Sequence, residues 1–203
     1  MSFKIDLHNH STYSEDSTSE ALESIERAME VGLDGIAFTE HHSYTASEPV
    51  EKLKEKYKDR ILILRGAEYS AAEGHLLLFG IKEDIFNDFG LHAPVDEVIR
   101  IVGGRGGVVI APHPFREWSI LRADIFKLKG LSAIEAYNGH NNEDENAKAL
   151  RAAEVLSLPT TGGSDSHSRD EVGCCFTEFF DHVTEENFLD RIKAGNYRGA
   201  CSG

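Results

Sequence analysis

Histidine and carboxylate side chains recur along this sequence in short groups whose spacing suits metal binding. The first is Asp6-Leu7-His8-Asn9-His10-Ser11. On a strand, residues two apart share a face, so His8 and His10 point the same way while Leu7 packs behind them. Two imidazoles at a strand end make a metal clip, although such a pair, alone, reads equally well as two chance histidines. Asp16 follows just before a helical segment, where its carboxylate can swing back over the strand end or simply serve the helix entry. Phe38-Thr39-Glu40-His41-His42 is another apolar run ending in ligand-type residues. Glu68 follows the run Ile61 to Leu64, and His75 opens the run Leu76 to Ile81. A carboxylate can bridge two metals through its two oxygens, which a neutral imidazole cannot, so Glu68 is the candidate bridge. His113 stands between Pro112 and Pro114 at the end of an apolar run, where the prolines stiffen the turn that presents it. Asp165 and His167, in Gly163-Ser164-Asp165-Ser166-His167, repeat the two-apart spacing with a carboxylate and an imidazole. A metal cluster of this kind supplies hydroxide near neutral pH and stabilises charge developing on oxygen.

These residues need elements that bring them together. Apolar runs at Phe3 to His8, Gly35 to Thr39, Ile61 to Ala67, His75 to Ile81, Val108 to Ala111, Ser132 to Tyr137 and Cys174 to Phe180 read as strands. Helical periodicity marks Ser19 to Val31, Glu48 to Lys58, Pro94 to Val102, Glu143 to Leu156 and Thr184 to Ala194. Thr18 or Ser19 suits the first helix cap, and Gly32, Gly130 and Gly195 suit helix ends. Gly103 to Gly107 reads as a helix-to-strand connection rather than a phosphate loop, since a strand follows and G-x-G-x-x-G is absent. Strands alternating with helices predict βα units and a mainly parallel sheet. At 203 residues the chain is shorter than the roughly 250 usual for eight units. An irregular α/β barrel of about seven units fits, with an open doubly wound sheet as the alternative. Most candidate ligands then fall at the C-terminal rim of the strands, where barrel active sites are built.

The length suits one domain spanning residues 1–203. A net charge of −14 argues against a surface that grips long nucleic acid or an anionic membrane. It does not exclude a small anionic substrate, because bound divalent cations reverse the field inside a pocket. The start MSFKIDLH has no leader pattern and no window approaches the roughly 18 apolar residues of a membrane span, so a cytoplasmic protein is expected. Cys174, Cys175 and Cys201 form no C-x-x-C pair and are expected to be buried thiols.

Taken in order, these motifs resemble the PHP (polymerase and histidinol phosphatase) family, with D-x-H-x-H-S near the start, T-D-H on the next strand, a glutamate, later histidines, and S-D-x-H near the end. The resemblance runs from Asp6 to His167. It implies a distorted (β/α)7 barrel and two or three divalent ions, zinc, manganese or iron. It also implies a ligand set. His8, His10, Glu68 and Asp165 would hold the first metal; Glu68 would bridge to a second, completed by His75 and His113; Asp16, His41 and His167 would hold the third. Two departures stand out. Glu40 replaces the aspartate of T-D-H, and no long insertion separates the Glu68 segment from the His113 strand, which weakens an assignment to nucleotides or RNA ends.

The implied activity is hydrolysis of a small phosphorylated substrate by metal-activated hydroxide. Arg116 is expected to reach a phosphate oxygen, with Arg169 a second candidate. Asn138 is expected to orient substrate and His140 to protonate the leaving group. Glu40 and His42 are expected to support the ligands from behind. Two alternatives remain: a metal-dependent hydrolase of amidohydrolase type acting on a carbon centre, which has no obvious use for a third metal, and a non-catalytic regulatory module, which predicts absent ligands.

Overall fold

The computed structural model describes residues 2–82, 87 and 89–202. Its centre is a nine-stranded sheet in the order β7-β6-β5-β4-β3-β2-β1-β8-β9. Strand β1 (Phe3–Asn9) leads through helix α1 (Ala21–Glu30) to β2 (Gly35–Phe38), and β2 through α2 (Val50–Tyr57) to β3 (Leu62–Ala71). These three strands are parallel. Only Ala72 and Glu73 separate β3 from β4 (Gly74–Phe79), too few for a crossover, so the two form an antiparallel hairpin. Helix α3 (Val95–Gly104) precedes β5 (Val108–Ala111), which pairs antiparallel with β4 and parallel with β6 (Ala133–Asn138). Helix α4 (Glu143–Leu156) returns the chain to β7 (Thr160–Gly163), parallel to β6. Strand β8 (Cys175–Phe179), helix α5 (Phe188–Ala194) and β9 (Tyr197–Cys201) complete the order, with β8 antiparallel to both β1 and β9.

The ends of the sheet curl toward each other. Asp165 N–H donates to His8 O at 2.7 Å and His10 N–H to Ser166 O at 2.9 Å, so the segment leaving β7 pairs with the end of β1. Lower down, Thr177 Oγ1 on β8 both accepts from Gly162 N–H and donates to Gly162 O. The approach is so close that a Cβ on Gly163 would lie 2.4 Å from His8 Cβ, which only glycine avoids. A nearly closed, barrel-like α/β sheet results.

The expected mainly parallel sheet is corrected to a mixed one, and the units are not seven repeats of one kind. The β3–β4 hairpin is one reason. Single 3-10 turns at Glu117–Ser119 and Arg169–Glu171, in place of regular crossover helices, are another. Strands β7 and β9 were not expected, because Thr-Thr-Gly-Gly and a glycine-split run carry little strand preference. Helix α1 starts after Glu20 rather than at Thr18 or Ser19, and Ser19 instead bonds Ser24. Gly32 and Gly195 have φ of 78° and 72° beyond α1 and α5, as expected; Gly130, at 93°, lies in a loop and ends no helix. The cysteines also differ from expectation. Cys175 and Cys201 face each other across β8 and β9 and are disulfide-bonded, while Cys174 is free and half-buried.

Apolar residues fill both faces of the sheet. Ile5, Leu7, Leu77, Ile110 and Ala133 pack inside the barrel, closed below by Phe188 and Ile192 of α5. Ile36, Phe38 and Ile63 meet Ile25 of α1 and Tyr57 of α2 outside, and Leu76, Leu78 and Ala136 meet Val98 of α3 and Ala149 of α4. Among the described residues no helix is long and apolar enough to cross a membrane.

Candidate metal centre

Where the parallel strands end, apolar side chains give way to histidine and carboxylate. The β1–β2 register shifts between Asp6 and Asn9, an irregularity that re-aims the chain as the ligand-type residues begin. His8 and His10 then point into the barrel mouth, both fully buried, with ring centroids 5.2 Å apart. Glu68, on β3, lies at the centre. Its Oε1 is 2.9 Å from His75 Nδ1 and 3.0 Å from His113 Nε2, and its Oε2 is 3.1 Å from His41 Nδ1 and 3.4 Å from His10 Nε2. Asp165 presents Oδ1 at 3.2 Å from both His8 Nε2 and His10 Nε2. Asp16, in the loop before α1, places Oδ2 3.1 Å from His41 Nε2 and 3.4 Å from His167 Nε2. The structure thus brings together every residue of the expected ligand set.

Three groups within it place their donor atoms within 4.8 Å of one another: His8, His10, Glu68 and Asp165; Glu68, His75 and His113; and His10, His41 and His167. Whether they suit a cation is tested by two atoms. His8 Nε2 and His10 Nε2 are buried and have no hydrogen-bond partner among the described residues. They stand close to carboxylate oxygens without being aimed at them, as expected of donors converging on a shared point. A buried nitrogen left this way costs about 1–3 kcal/mol unless something occupies that point. Divalent cations bound by imidazole and carboxylate fit the donor set.

Electrostatics point the same way. Burial raises the Glu68 and Asp165 carboxyls, yet the surrounding imidazoles, His8 first, hold both well below the usual carboxylate range. Burial opposes a charge on His10, but Asp165 and Glu68 raise its pKa to about 9. Burial lowers His113 and His167. Carboxylates in a dry cluster demand positive charge, and without a metal the imidazoles must provide it.

The surroundings fix which nitrogen each ring offers. His8 Nδ1–H donates to Glu135 Oε1 at 3.0 Å, and His167 Nδ1–H to Asp165 O at 2.8 Å, leaving Nε2 toward the cluster in both. Ser14 Oγ donates to Glu40 Oε2 and touches His10 Nδ1, while Ser11 N–H and Oγ–H donate to Glu40 as well. Glu40 therefore fastens the Ser11–Ser14 loop from behind, as expected of a supporting residue. The His42 ring stands beside those of His41 and His92, and its backbone N–H donates to Glu68 O at 2.9 Å. Backbone strain is held at the site too: His113 and Asp165 have φ of 28° and 56°.

The expected substrate residues fare differently. Arg116 is 2% exposed and donates from Nη2 to Asp165 Oδ2 at 2.7 Å and from Nε to Asn141 Oδ1 at 2.9 Å. It positions Asp165 rather than reaching from the rim. Asn138 is buried, and its side chain bonds Arg116, Glu135 and Asp165. Arg169 is directed to Glu30 on α1 and is not brought to the cluster. His140 stands beside His167, with ring centroids 5.7 Å apart and Nε2 3.6 Å from Glu171 Oε2. Glu135, which no motif in the sequence marks, accepts from His8 Nδ1–H, His113 N–H and Asn138 Nδ2–H. Its signal was a lone carboxylate inside the buried run Ala133 to Ala136.

Residues 6–103 match the PHP domain model, and residues 143–197 match the PHP-associated model. The chain belongs to the PHP family. A relative by sequence is the uncharacterized protein MJ1587 of Methanocaldococcus jannaschii, 28% identical over 151 residues, covering 69% of this chain and 84% of that one. Among solved structures, PsfC from Pseudomonas syringae PB-5123 superposes with a TM-score of 0.73 at 22% identity, covering 100% of this chain and 92% of that one. A candidate metal-dependent phosphoesterase from Bifidobacterium adolescentis gives 0.67 at 20%, covering 95% and 96%. Histidinol phosphate phosphatase from Lactococcus lactis, in complex with zinc, L-histidinol and phosphate, gives 0.52 at 20%, covering 82% and 87%. At these identities the structural likeness is one of fold.

Proposed function

We propose that this PHP domain is a metal-dependent phosphoesterase acting on a small phosphorylated substrate. The observation that carries the reading is the pair of buried, unpartnered Nε2 atoms of His8 and His10 beside Asp165 and Glu68. His8, His10, Glu68 and Asp165 would hold a first divalent ion, Glu68, His75 and His113 a second, and Asp16, His41 and His167 a third. The phosphoesterase and histidinol phosphate phosphatase folds named above support this choice. When bound, such ions supply hydroxide near neutral pH and offset charge on the phosphoryl oxygens.

The chain's own residues keep this arrangement fixed. Glu135 holds His8 in the tautomer that presents Nε2. Arg116 and Asn138 occupy Oδ2 of Asp165 and leave Oδ1 to the cluster. Glu171 accepts from His167 N–H at 2.7 Å and steadies that ring. His140, at the His167 edge, is the proton carrier there. A third group of donors distinguishes this reading from hydrolysis at a carbon centre, which has no need of Asp16, His41 and His167.

The test is metal analysis together with turnover of phosphate esters. Purified protein should contain two or three equivalents of divalent metal and release phosphate from a phosphomonoester. His8→Ala and Asp165→Ala should lose both properties, and a chelator should abolish turnover until zinc, manganese or iron is restored. Undiminished hydrolysis by thoroughly metal-stripped protein, or amide or lactone hydrolysis without phosphate release, overturns the proposal.

A further inference from the structure

A cleft of about 660 Å³ lies between the β3–β4 turn and the loop that follows β5, and it reaches the cluster through His75. Its lining is unusual for this chain. The net charge is −14, yet no carboxylate is among the described lining residues, and His75, His92 and Arg122 are the groups that can carry charge. A cleft of similar volume at the opposite ends of the strands has the mixed lining expected of such a composition, with Asp34, Glu51, Lys54 and Arg60. Apart from Glu68, which His75 meets on its cluster side, the lack of carboxylates along this cleft is therefore local.

Arg122 is held in place for this position. Its backbone N–H donates to Glu73 O at 2.6 Å, and its Nη2 donates to Ala72 O at 3.1 Å. The turn and loop fit so closely that a Cβ on Gly74 would lie 3.0 Å from Leu121 Cα. Glu73, the carboxylate nearest in sequence, turns its Oε2 to Val95 N–H instead. Among the described residues no carboxylate pairs with Arg122, whereas Arg116, Arg65 and Arg169 are paired with Asp165, Glu51 and Glu30. An unpaired guanidinium in a cleft free of carboxylates attracts an anion, bidentately where that anion is a carboxylate or phosphate.

The mouth of the same cleft is apolar. Trp118, the single tryptophan of the chain, is 74% exposed, with one face over the Arg116 guanidinium at 4.7 Å. Ile120 beside it is 46% exposed. An indole fixed on one face and open on the other is a platform for a flat group. Ser119, between them, touches His113 Nδ1 at 3.4 Å, so the platform and the cluster share one loop.

We propose that this cleft receives the organic half of the phosphoester, and that this half has a flat apolar body ending in a second anionic group bound by Arg122. The inference rests on the phosphoesterase reading and narrows its substrate class. It places the leaving oxygen at the His75 edge, whereas His140 stands at the His167 edge.

Trp118 supplies a readout independent of turnover. Zinc-loaded protein is titrated with phenylphosphonate, 4-carboxyphenylphosphonate and 1,4-phenylenebisphosphonate, none of them hydrolysable, while indole emission is followed. The two compounds with a second anion should bind at least tenfold more tightly than phenylphosphonate, and their order shows whether carboxylate or phosphonate is preferred. Arg122→Gln should bring the affinity ratio near one, and Arg122→Lys should keep most of it. A ratio near one in the unaltered protein, or one that survives Arg122→Gln, overturns the inference. Turnover of phenyl phosphate is measured in parallel. Turnover without charge-selective binding overturns the cleft assignment alone; charge-selective binding without turnover of any phosphoester overturns the catalytic reading alone; loss of both overturns both.

Discussion

Replacing Glu135 by glutamine changes one atom type and leaves the shape of the side chain almost intact, yet it should disturb the whole cluster. Glu135 is 1% exposed. One oxygen accepts from His8 Nδ1–H at 3.0 Å, and the other accepts from His113 N–H at 3.0 Å and Asn138 Nδ2–H at 2.8 Å. A carboxylate serves all three donors; an amide has one oxygen. With that oxygen toward His113 and Asn138, the new NH2 faces His8 Nδ1 and drives the ring to the tautomer whose Nε2 carries the proton and cannot hold a metal. With the oxygen toward His8, two buried donors face a third, at about 1–3 kcal/mol for each one left unsatisfied. Either way, the metal held by His8 should bind about 10–100-fold more weakly, the usual cost of losing a carboxylate behind a ligating histidine. The assay is competition with a chelator of known affinity, followed by metal analysis, on Glu135→Gln and unaltered protein. Circular dichroism of both metal-free forms controls for misfolding. Equal metal affinity in a folded Glu135→Gln protein would refute the claim that Glu135 sets the His8 tautomer.

Three further outcomes are expected. Asp165→Ala leaves Arg116 buried without its carboxylate and should destabilise the metal-free protein by about 3–5 kcal/mol; adding Arg116→Leu should recover much of that stability in denaturant titrations without restoring metal. For His10, a folded-state pKa of about 9 against an ordinary 6.5 stabilises the metal-free protein fully below pH 6.5, and this contribution is lost as pH rises toward 9. Melting temperatures of metal-free protein should therefore fall across that window, those of zinc-loaded protein should not, and zinc uptake at pH 7.5 should release protons measurable by calorimetry in two buffers. Reduction of the Cys175–Cys201 bond, which spans a separation of 26 residues, should cost roughly 2–4 kcal/mol of stability, seen as a lower unfolding midpoint with metal content unchanged.

The ligand types were legible in the sequence because each metal-site candidate lies in or beside a strand or tight turn that fixes its direction. Two-apart spacing put His8 with His10, and the prolines around His113 announced a stiff turn. The family pattern then grouped nine residues whose side chains the fold does bring together. The same local logic misjudged Arg116 and Arg169. Their distance along the chain from His113 and His167 says nothing about which carboxylate each will find. Arg116 turned inward to Asp165, and Arg169 outward to Glu30.

The sequence by itself determined the α/β class, the positions of the main helices and the candidate metal-binding side chains, since these depend on periodicity and on residue chemistry within a few positions. Only the tertiary structure decided the mixed strand directions, the short β7 and β9, the cysteine pairing, and the surroundings of Glu135 and Arg122. Strands such as Thr160–Gly163 exist because neighbours on both sides satisfy their backbone groups, and no propensity in the segment itself requires it. Glu135 acquires its task by facing His8, 127 residues away, and Arg122 lies in a cleft with no carboxylate among its described lining residues. Such long-range pairings are fixed by how the sheet closes, which no single stretch of sequence encodes.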